Sequence, residues 1–224
     1  MQKEFEKRLF SSIILIPIAL FFIIKGSFFF IFFLSVSFLI TSYEWTMMSK
    51  KKNYLIPGLI FLIFSFYTVF ELRNNFDYYN LFIFLFILII CIATDLGGYI
   101  FGKIFKGPKL TSISPNKTYA GFFGSFFLSI ITINLYLNYS NSLNLDIPPF
   151  AIGYTKELFI FTLSISLVSQ IGDIIISYFK RLSKLKDTGK ILPGHGGLLD
   201  RIDGMIFVFP FVYLVTLISV IIKL

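Results

Sequence analysis

Charged residues are scarce in this sequence, since they make up 14% of its 224 positions against about 25% in ordinary soluble domains. Hydrophobic residues make up 56%, and phenylalanine alone contributes 31 residues. A soluble domain of this size could not bury so much apolar surface, because too few polar residues remain to cover its outside. The composition therefore excludes a water-soluble enzyme and a secreted scaffold, and it predicts a polytopic membrane protein.

Cysteine and histidine are almost absent, with Cys91 and His195 as the sole examples. A single cysteine excludes a disulfide within the chain and leaves the redox compartment open. No Ser-His-Asp or Cys-His arrangement is evident, so the sequence lacks the usual means of activating a protein nucleophile.

The hydrophobic residues fall into seven apolar segments, and a spanning helix with its loop uses roughly 25 to 35 residues. The predicted fold class is all-α, a polytopic membrane bundle of about seven transmembrane helices. Residues 1–224 are expected to form a single transmembrane domain. The first and third segments are short for a bilayer core of about 30 Å. The segments are residues 9–24, 27–45, 55–70, 81–101, 121–139, 158–178 and 204–222.

The cations divide unevenly between the two sides of such a bundle. Sixteen of the 20 fall at the amino terminus or in the second, fourth and sixth connections, and the others are Lys25, Arg73, Lys156 and Lys223. By the positive-inside rule, the amino terminus and the three basic connections face the cytoplasm, and the carboxyl terminus lies outside. The net charge of +8 thus reflects membrane topology, and nucleic acid is not an expected partner.

The expected location is the inner (cytoplasmic) membrane of a bacterium, because no targeting extension precedes the first segment. The lipid bilayer is the expected surrounding partner. The sequence is compatible with a homodimer.

Half of the acidic residues lie at the cytoplasmic ends of spans or in the basic connections. They are Glu44, Asp95, Asp173, Asp187, Asp200 and Asp203. Charges close to a membrane are costly and usually face a cavity or a partner. Carboxylates among many cations suggest a site for a polyanion with a bridging divalent metal, and Mg²⁺ takes one or two carboxylates with phosphate oxygens and water.

Residues 95–121 form the first dense polar region. Asp95 and Tyr99 are four apart and share a helix face. Gly98 and Gly102 also share a face, which permits another helix to approach closely. A small-residue packing seam without chemistry explains the glycines at least as well.

The same region contains Ser114-Pro115, which favours a turn and places Lys117 and Thr118 at or near a helix start. Free backbone N–H groups, a hydroxyl and an ammonium at that point would suit a phosphate. A basic loop can also be only a topology signal.

Residues 170–204 form the second dense polar region. Asp173, Ser177, Lys180 and Arg181 would form one polar stripe on a helix that leaves the sixth span. Asp173 lies about two turns inside the Lys180-Arg181 pair, within the bilayer or at its rim. An unpaired carboxylate is expensive there, so a metal ion or a cationic side chain is its expected partner.

Further along this region, Asp200 and Asp203 share a face at the start of the seventh span, with Arg201 between them. His195 precedes them in a glycine-rich turn. A plain turn residue would explain His195, and a solvated salt-bridge cluster would explain the acidic pair. Separate structural explanations for Asp173, His195 and the acidic pair are less plausible together than one shared site.

These residues carry a recognisable pattern over 27 positions. It consists of Ser177, Phe179, Lys180 and Arg181, then Lys186, Asp187 and Gly189, then Leu192, Pro193, His195, Gly196, Gly197 and Leu198, and finally Asp200, Arg201, Ile202 and Asp203. The pattern resembles the phosphatidate cytidylyltransferase (CDP-diacylglycerol synthase) signature. Residues 95–121 also resemble that family in their Asp, Tyr, spaced glycines and Ser-Pro-x-Lys-Thr. One departure is Ala120, where family members usually have Glu, and the chain is short for the family.

The resemblance implies a reaction in which CTP and phosphatidate give CDP-diacylglycerol and pyrophosphate with Mg²⁺, and it leaves a second metal ion open. The lipid phosphate would be the nucleophile, and it is already anionic at neutral pH, so no general base is needed. Positioning and charge neutralisation would supply the catalysis.

The resemblance also implies residue roles. Asp173 and Asp200 would hold metal on the CTP phosphates, with Asp203 a further ligand or an orienting group. Lys180, Arg181 and Arg201 would stabilise the phosphates or the leaving pyrophosphate. The other catalytic candidates are Lys186, Asp187, which would bind metal or hold Lys186, and His195, which would position a phosphate or brace its loop. The substrate-binding candidates are Asp95, Ser114, Lys117, Thr118 and Ser177.

Three other classes of protein compete with this interpretation. A CTP-using membrane enzyme that acts on a polyprenol or an archaeal-type lipid is disfavoured by the complete KDxG and HGGxxDRxD run. A CDP-alcohol phosphotransferase is excluded because its DGxxAR pattern is absent. An ion-coupled transporter would distribute polar residues through the membrane depth, whereas here they gather on one side.

Overall fold

The computed structural model describes residues 15–74, 80–142, 155–191 and 196–222. Within these ranges the chain is helical, and the β-type pairing is confined to one isolated bridge. Five of the described helices, α2 to α6 below, are long and apolar enough to cross a bilayer, and α1 and α8 are shorter apolar helices. The fold is therefore an all-α polytopic membrane bundle, which confirms the predicted class. The helices are α1 (Leu15–Lys25), α2 (Ser27–Ser49), α3 (Leu55–Asn74), α4 (Asn80–Phe105), α5 (Tyr119–Ser142), α6 (Lys156–Leu182), α7 (Leu199–Ile202) and α8 (Met205–Ile222).

Each predicted apolar segment coincides with one of these helices, but several predicted ends are too early. The third segment, predicted to end at residue 70, continues to Asn74 and is long enough to span. The fourth continues from residue 101 to Phe105. Hydropathy falls at the membrane surface while backbone hydrogen bonding goes on, so a polar final turn is missed. Residues 9–14 of the first segment lie outside the described ranges.

A sharp bend joins α1 to α2. Gly26 is the single residue between the two helices and has φ of 65°, a conformation that glycine adopts without strain. The bend brings the rings of Phe22 and Phe33 together with centroids 5.7 Å apart. Arg73 at the end of α3 donates through Nε (3.0 Å) and Nη2 (2.7 Å) to the carbonyl of Ile23, which supplies a partner at the carboxyl end of α1.

Pro210 interrupts the hydrogen-bond ladder of α8. Proline has no N–H to donate to the carbonyl four residues earlier, which belongs to Ile206. The hydroxyl of Ser65 on α3 donates to that oxygen at 2.7 Å. Lipid cannot hydrogen-bond an orphan carbonyl, so this contact both satisfies the backbone and joins α3 to α8.

Glycines allow α4 and α5 to approach closely, as the spacing of Gly98 and Gly102 predicts. A Cβ on Gly97 would lie 2.5 Å from the carbonyl oxygen of Gly124, and one on Gly121 would lie 2.6 Å from that of Gly98. Any larger residue at these positions would push the helices apart. Because the seam runs toward the 106–118 connection, it holds that connection against the polar half of α4.

Hydroxyl groups join the same helices to α6. Thr94 on α4 donates to Ser166 on α6 at 2.8 Å, and its oxygen lies 3.0 Å from the hydroxyl of Ser129 on α5. All three residues are buried, and hydrogen bonds between polar side chains help to fix helix positions in a membrane. The three helices that carry the dense polar regions are thereby fixed to one another.

Candidate active site

A cavity of about 390 Å³ lies at one end of the bundle. Its walls come from the carboxyl-terminal halves of α4 and α6, the start of α5, and α7 with the residues just after it. Residues 94–125 and 170–203, far apart in the chain, thus meet around one space. Ten of the cations lie at the ends of α4 and α6, in the connections after them or in α7, and these parts of the chain meet at this end.

Lys117 reaches the cavity from a short folded connection between α4 and α5. The amide of Lys117 donates to the carbonyl of Ser114 at 3.0 Å, which closes the predicted Ser-Pro turn. Thr118 then caps α5, since its Oγ1 accepts from the amide of Gly121 at 3.1 Å. A backbone bridge between Lys109 and Thr118 ties the two ends of the connection together. The predicted helix start is therefore present, with Lys117 immediately before it.

Asp173 is the central carboxylate of the cavity. The ammonium of Lys117 lies 2.6 Å from its Oδ2, and the hydroxyl of Ser177 donates to its Oδ1 at 3.2 Å. The same ammonium lies 3.4 Å from the backbone carbonyl of Gln170. Asp173 thus has the cationic partner that its depth in the chain predicts.

Asp200 is the most fully hydrogen-bonded carboxylate of the cavity. The ammonium of Lys180 lies 2.9 Å from its Oδ1. The amides of Thr188 (2.8 Å) and Gly197 (3.0 Å) donate to its Oδ2. Asp200 therefore joins the end of α6, the segment after α6 and the start of α7 in one network.

Three carboxyl groups lie close together in this space: Asp173 and Asp203 are within hydrogen-bonding reach of each other, and Asp95 interacts with both. Burial away from water, and then repulsion by Asp173, raise the pKa of Asp203 well above its usual range. The Asp203 carboxylate also accepts from the amide of Gly204 at 3.0 Å. Such crowding of carboxylates favours the approach of cations.

The described residues contain no group of three or more His, Cys, Asp or Glu side chains arranged to hold a metal ion. Asp173, on α6, and Asp203, just before α8, are near enough to act on one ion together. The cationic side chains Lys117 and Lys180 are in direct contact with the carboxylates of the cavity.

The structure brings most of the sequence-predicted site residues to this cavity. Those that line it are Asp95, Lys117, Thr118, Asp173, Lys180, Asp187, Asp200, Arg201 and Asp203. Ser177 lies behind the wall and contacts Asp173, and Ser114 forms the turn before Lys117. Arg181 is exposed and donates to the carbonyls of Ile113 and Leu185 at 3.4 and 3.3 Å, and Lys186 is exposed outside the cavity wall. His195 lies outside the described residues.

Sequence reasoning counted Glu44 among the cytoplasmic carboxylates but gave it no role, and it missed Thr188. Glu44 is buried near the carboxyl end of α2 and accepts from the hydroxyl of Thr188 at 3.1 Å. A carboxylate at the end of an apolar span was the available signal for Glu44, but nothing in the sequence shows which distant segment it contacts. Thr188 occupies the variable position between Asp187 and Gly189, so the pattern of fixed residues passes over it.

The fold and the cavity define a multi-pass membrane protein with lysines and carboxylates gathered at one end. The cytidylyltransferase family profile matches residues 59–219, a span that contains every residue of the cavity wall. The chain belongs to this family.

Curated relatives named phosphatidate cytidylyltransferase agree with the profile. Those of Staphylococcus aureus and Staphylococcus epidermidis are each 36% identical over 184 residues, and that of Staphylococcus saprophyticus is 35% identical over 187. Each alignment covers 79% of this chain and 65% of the relative. The chain thus spans slightly less than two thirds of the length of these relatives.

Proposed function

We propose that this chain transfers CMP from CTP to phosphatidate, with Mg²⁺, to give CDP-diacylglycerol and pyrophosphate. The observation that carries the proposal is the meeting of two lysine–carboxylate pairs, Lys117–Asp173 and Lys180–Asp200, in one cavity of a membrane bundle. The names of the staphylococcal relatives support the same reaction. A nucleotide and a lipid are the substrate classes that the family and the membrane fold imply.

In the proposed reaction, an oxygen of the phosphatidate phosphate attacks the α-phosphorus of CTP. The new P–O bond forms as the bond from the α-phosphorus to the oxygen bridging to the β-phosphorus breaks, and that electron pair leaves on pyrophosphate. The nucleophile is already ionised at neutral pH, so the side chains need not remove a proton. The barrier is the repulsion between anions, and it falls when charges are neutralised and the reactants are aligned.

The cations of the cavity are placed to do this. Lys117 enters from the start of α5 and Lys180 from the end of α6, so they approach a bound ligand from two walls. Arg201, on α7, lines the same space. We assign the three cations to the phosphates of CTP and of the lipid, where an ammonium or a guanidinium offsets the developing charge.

The carboxylates fit a magnesium ion. Mg²⁺ needs only one or two carboxylates when phosphate oxygens and water complete its coordination, and Asp173 and Asp203 lie close enough to act together. Asp95 lines the same wall and is the third candidate. When bound, the ion would neutralise charge on the CTP phosphates and on the leaving pyrophosphate. The proposal requires one magnesium ion and is compatible with a second.

Asp200 has a different role in this proposal from the metal ligation that the family resemblance implies. Both of its oxygens accept hydrogen bonds, from Lys180 on one side and from Thr188 and Gly197 on the other. Metal binding at Oδ1 of Asp200 would displace the ammonium of Lys180. At Asp173 the Lys117 ammonium lies on Oδ2, and Oδ1 accepts from the Ser177 hydroxyl at 3.2 Å, which can rotate away to admit an ion. We therefore assign Asp200 to holding Lys180 and the segment after α6 in place, which leaves Asp173 and Asp203 as ligands.

The position of the cavity suits an amphiphilic acceptor. Asp173 precedes the end of α6 at Leu182 by about 14 Å of helix, at 1.5 Å per residue. The acyl chains can stay in lipid while the phosphate enters between the helices. We further propose that the cavity opens to the cytoplasm, because the parts of the chain around it hold ten of the 20 cations and CTP is a cytosolic nucleotide.

The assay uses the purified full chain in detergent micelles with Mg²⁺, CTP and phosphatidate. Wild type is expected to release one pyrophosphate for each CDP-diacylglycerol formed. Lys180→Met should lower kcat/KM by at least about 100-fold, since it removes a charge that contacts the reacting phosphates. Lys184→Met is the matched control, because Lys184 is exposed just beyond the same helix and lies outside the cavity wall.

Absence of turnover by wild type, under conditions in which a staphylococcal relative is active, would contradict the proposal. Turnover with another lipid phosphate but not with phosphatidate would keep the site and change the acceptor. Equal losses in Lys180→Met and Lys184→Met would show that the cavity is not where CTP reacts.

A further inference from the structure

Glu44 is a buried carboxylate outside the cavity. It lies near the carboxyl end of α2 with 1% of its surface exposed. Three groups donate to it: the hydroxyl of Thr188 at 3.1 Å, the amide of Leu198 at 2.9 Å and the amide of Leu199 at 2.8 Å. All three donors belong to the segment that runs from α6 into α7.

The chemistry of this contact is that of a specific anchor. Burying a carboxylate costs several kcal/mol unless hydrogen bonds replace the lost water. The amides of Leu198 and Leu199 stand at the start of the short helix α7, where backbone donors have no partner within the helix. Glu44 therefore satisfies the first turn of α7 while α7 satisfies Glu44.

Two glycines show how closely the segment wraps this carboxylate. A Cβ on Gly189 would lie 2.8 Å from Oε1 of Glu44, and a Cβ on Gly197 would lie 2.6 Å from Oε2. Real Cβ atoms are essentially never found so close to another heavy atom, so a larger residue at either position would force the end of the Glu44 side chain to move. The segment therefore packs directly against the Glu44 carboxylate at both glycines.

Thr188 connects Glu44 to the cavity. Its Oγ1 lies 3.1 Å from Oε2 of Glu44 and 3.1 Å from Oδ2 of Asp200. Its amide donates to the same Asp200 oxygen at 2.8 Å. Asp200 in turn holds the ammonium of Lys180 at 2.9 Å. A continuous set of contacts thus runs from α2 through the segment to a cation of the site.

We infer that Glu44 is a positioning residue for the proposed nucleotidyl transfer, acting through Thr188 and Asp200 on Lys180. This inference rests on the proposed function. Glu44 touches no substrate in this account. Its carboxylate fixes where the segment after α6 stands, and therefore the angle from which Asp200 presents Lys180 to the phosphates.

The test compares Glu44→Gln with Thr41→Val. Glutamine keeps the size of the side chain but turns an N–H₂ toward one of the three donors. Thr41 is buried one turn earlier on α2, and within the described part of the chain its hydroxyl donates to the carbonyls of Ser37 and Phe38 on the same helix. Glu44→Gln should lower kcat by about 10-fold or more with KM for CTP changed less than about twofold, while Thr41→Val stays within about twofold of wild type.

A double mutant separates positioning from general loss of stability. Thr188→Val removes the bridging hydroxyl and should also lower kcat at unchanged KM. The variant with both Glu44→Gln and Thr188→Val should be no worse than the more damaged single variant, because both act on one set of contacts. Losses that multiply, or unchanged kcat in Glu44→Gln, would overturn the inference. If Glu44→Gln does not fold, the single variant Thr188→Val serves as the test, and an unchanged kcat in that variant would overturn the inference.

A second measurement does not depend on the reaction. Lys184, Lys186 and Lys190 are exposed in the segment after α6 and are sites for trypsin. Trypsin should cut Glu44→Gln there several-fold faster than wild type, and it should cut Thr41→Val at the wild-type rate. Thermal unfolding curves must first show that both variants are folded. If Glu44→Gln is cut faster but wild type is inactive, only the proposed function is contradicted. If Glu44→Gln and wild type are cut at equal rates, Glu44 does not position the segment and the inference is contradicted.

Discussion

The ammonium of Lys117 lies 2.6 Å from Oδ2 of Asp173, and this contact joins the start of α5 to the middle of α6. The two residues belong to different dense polar regions of the sequence. Their contact joins the two regions into one site. The glycine seam holds α4 and α5 close together, and two of its glycines, Gly98 and Gly121, line the cavity.

Removal of the Lys117 charge should damage catalysis more than stability. Lys117→Met is expected to lower kcat/KM by about 100-fold, because the site loses a cation and Asp173 loses its partner. Lys109→Met is the control, since Lys109 is exposed in the same connection and does not line the cavity. Steady-state rates and thermal unfolding in detergent are the measurements. Equal losses of kcat/KM in the two variants would show that Lys117 has no special role at the cavity.

Asp173 and Asp200 should respond differently to magnesium. Asp173→Asn removes a proposed ligand and should raise the Mg²⁺ concentration for half-maximal rate by about 10-fold or more. Asp200→Asn should lower kcat with that concentration nearly unchanged, because Asp200 holds Lys180. Rates are measured over a titration of Mg²⁺ with CTP in excess. A raised Mg²⁺ requirement in both variants would show that Asp200 is also a metal ligand.

The glycine seam predicts a difference between neighbouring positions. The methyl of Gly97→Ala would meet the backbone of Gly124 at 2.5 Å, so the helices must separate, at a cost of about 1–3 kcal/mol. The methyl of Gly98→Ala would meet the hydroxyl of Ser125 at 3.0 Å, and that side chain can rotate. The unfolding temperature should fall clearly for Gly97→Ala and less for Gly98→Ala. The reverse order would show that α4 and α5 pack through another face.

The Ser65 hydroxyl should matter only because of Pro210. Ser65→Ala leaves the carbonyl of Ile206 without its donor and should cost about 1–3 kcal/mol in the free energy of unfolding. Pro210→Ala supplies an N–H to the same carbonyl, so adding Ser65→Ala to that variant should cost much less. Thermal unfolding of the four proteins closes the cycle, and additive effects would contradict the shared acceptor.

The sidedness of the cavity can be measured with single cysteines. Cys91 is buried, so Cys91→Ala gives a background without accessible thiols. In that background Lys25→Cys should react with a membrane-impermeant maleimide added outside intact cells. Lys51→Cys, in the connection between α2 and α3, should react only after permeabilisation. The opposite labelling pattern would show that the cavity faces the outside of the cell.

Most of the membrane fold can be predicted from the sequence, because apolar runs and the cation distribution carry it. The helix ends cannot, since hydropathy stops where the membrane stops and the hydrogen-bonded ladder continues, as it does to Asn74 in α3. The bend at Gly26 and the link from Ser65 to Ile206 also escape prediction. They depend on which helices become neighbours, and hydropathy contains no such information.

The candidate site follows the same division. Spacing on one helix places Asp173, Ser177 and Lys180 together, and the structure finds Ser177 on Asp173. Partners from different helices could not be derived, so neither Lys117 on Asp173 nor Lys180 on Asp200 followed from spacing. Glu44 is the extreme case, because it acts on a segment 144 residues away through a threonine at a variable position.

The fate of the phosphorus atoms of CTP tests the central claim most directly. The wild-type chain is incubated with Mg²⁺, phosphatidate and CTP labelled at either the α- or the γ-phosphorus, and lipid is then separated from water-soluble products. Cytidylyl transfer predicts α label in the lipid and γ label in pyrophosphate. Label from the γ position in the lipid would mean phosphoryl transfer by a CTP-dependent kinase, and it would contradict the account.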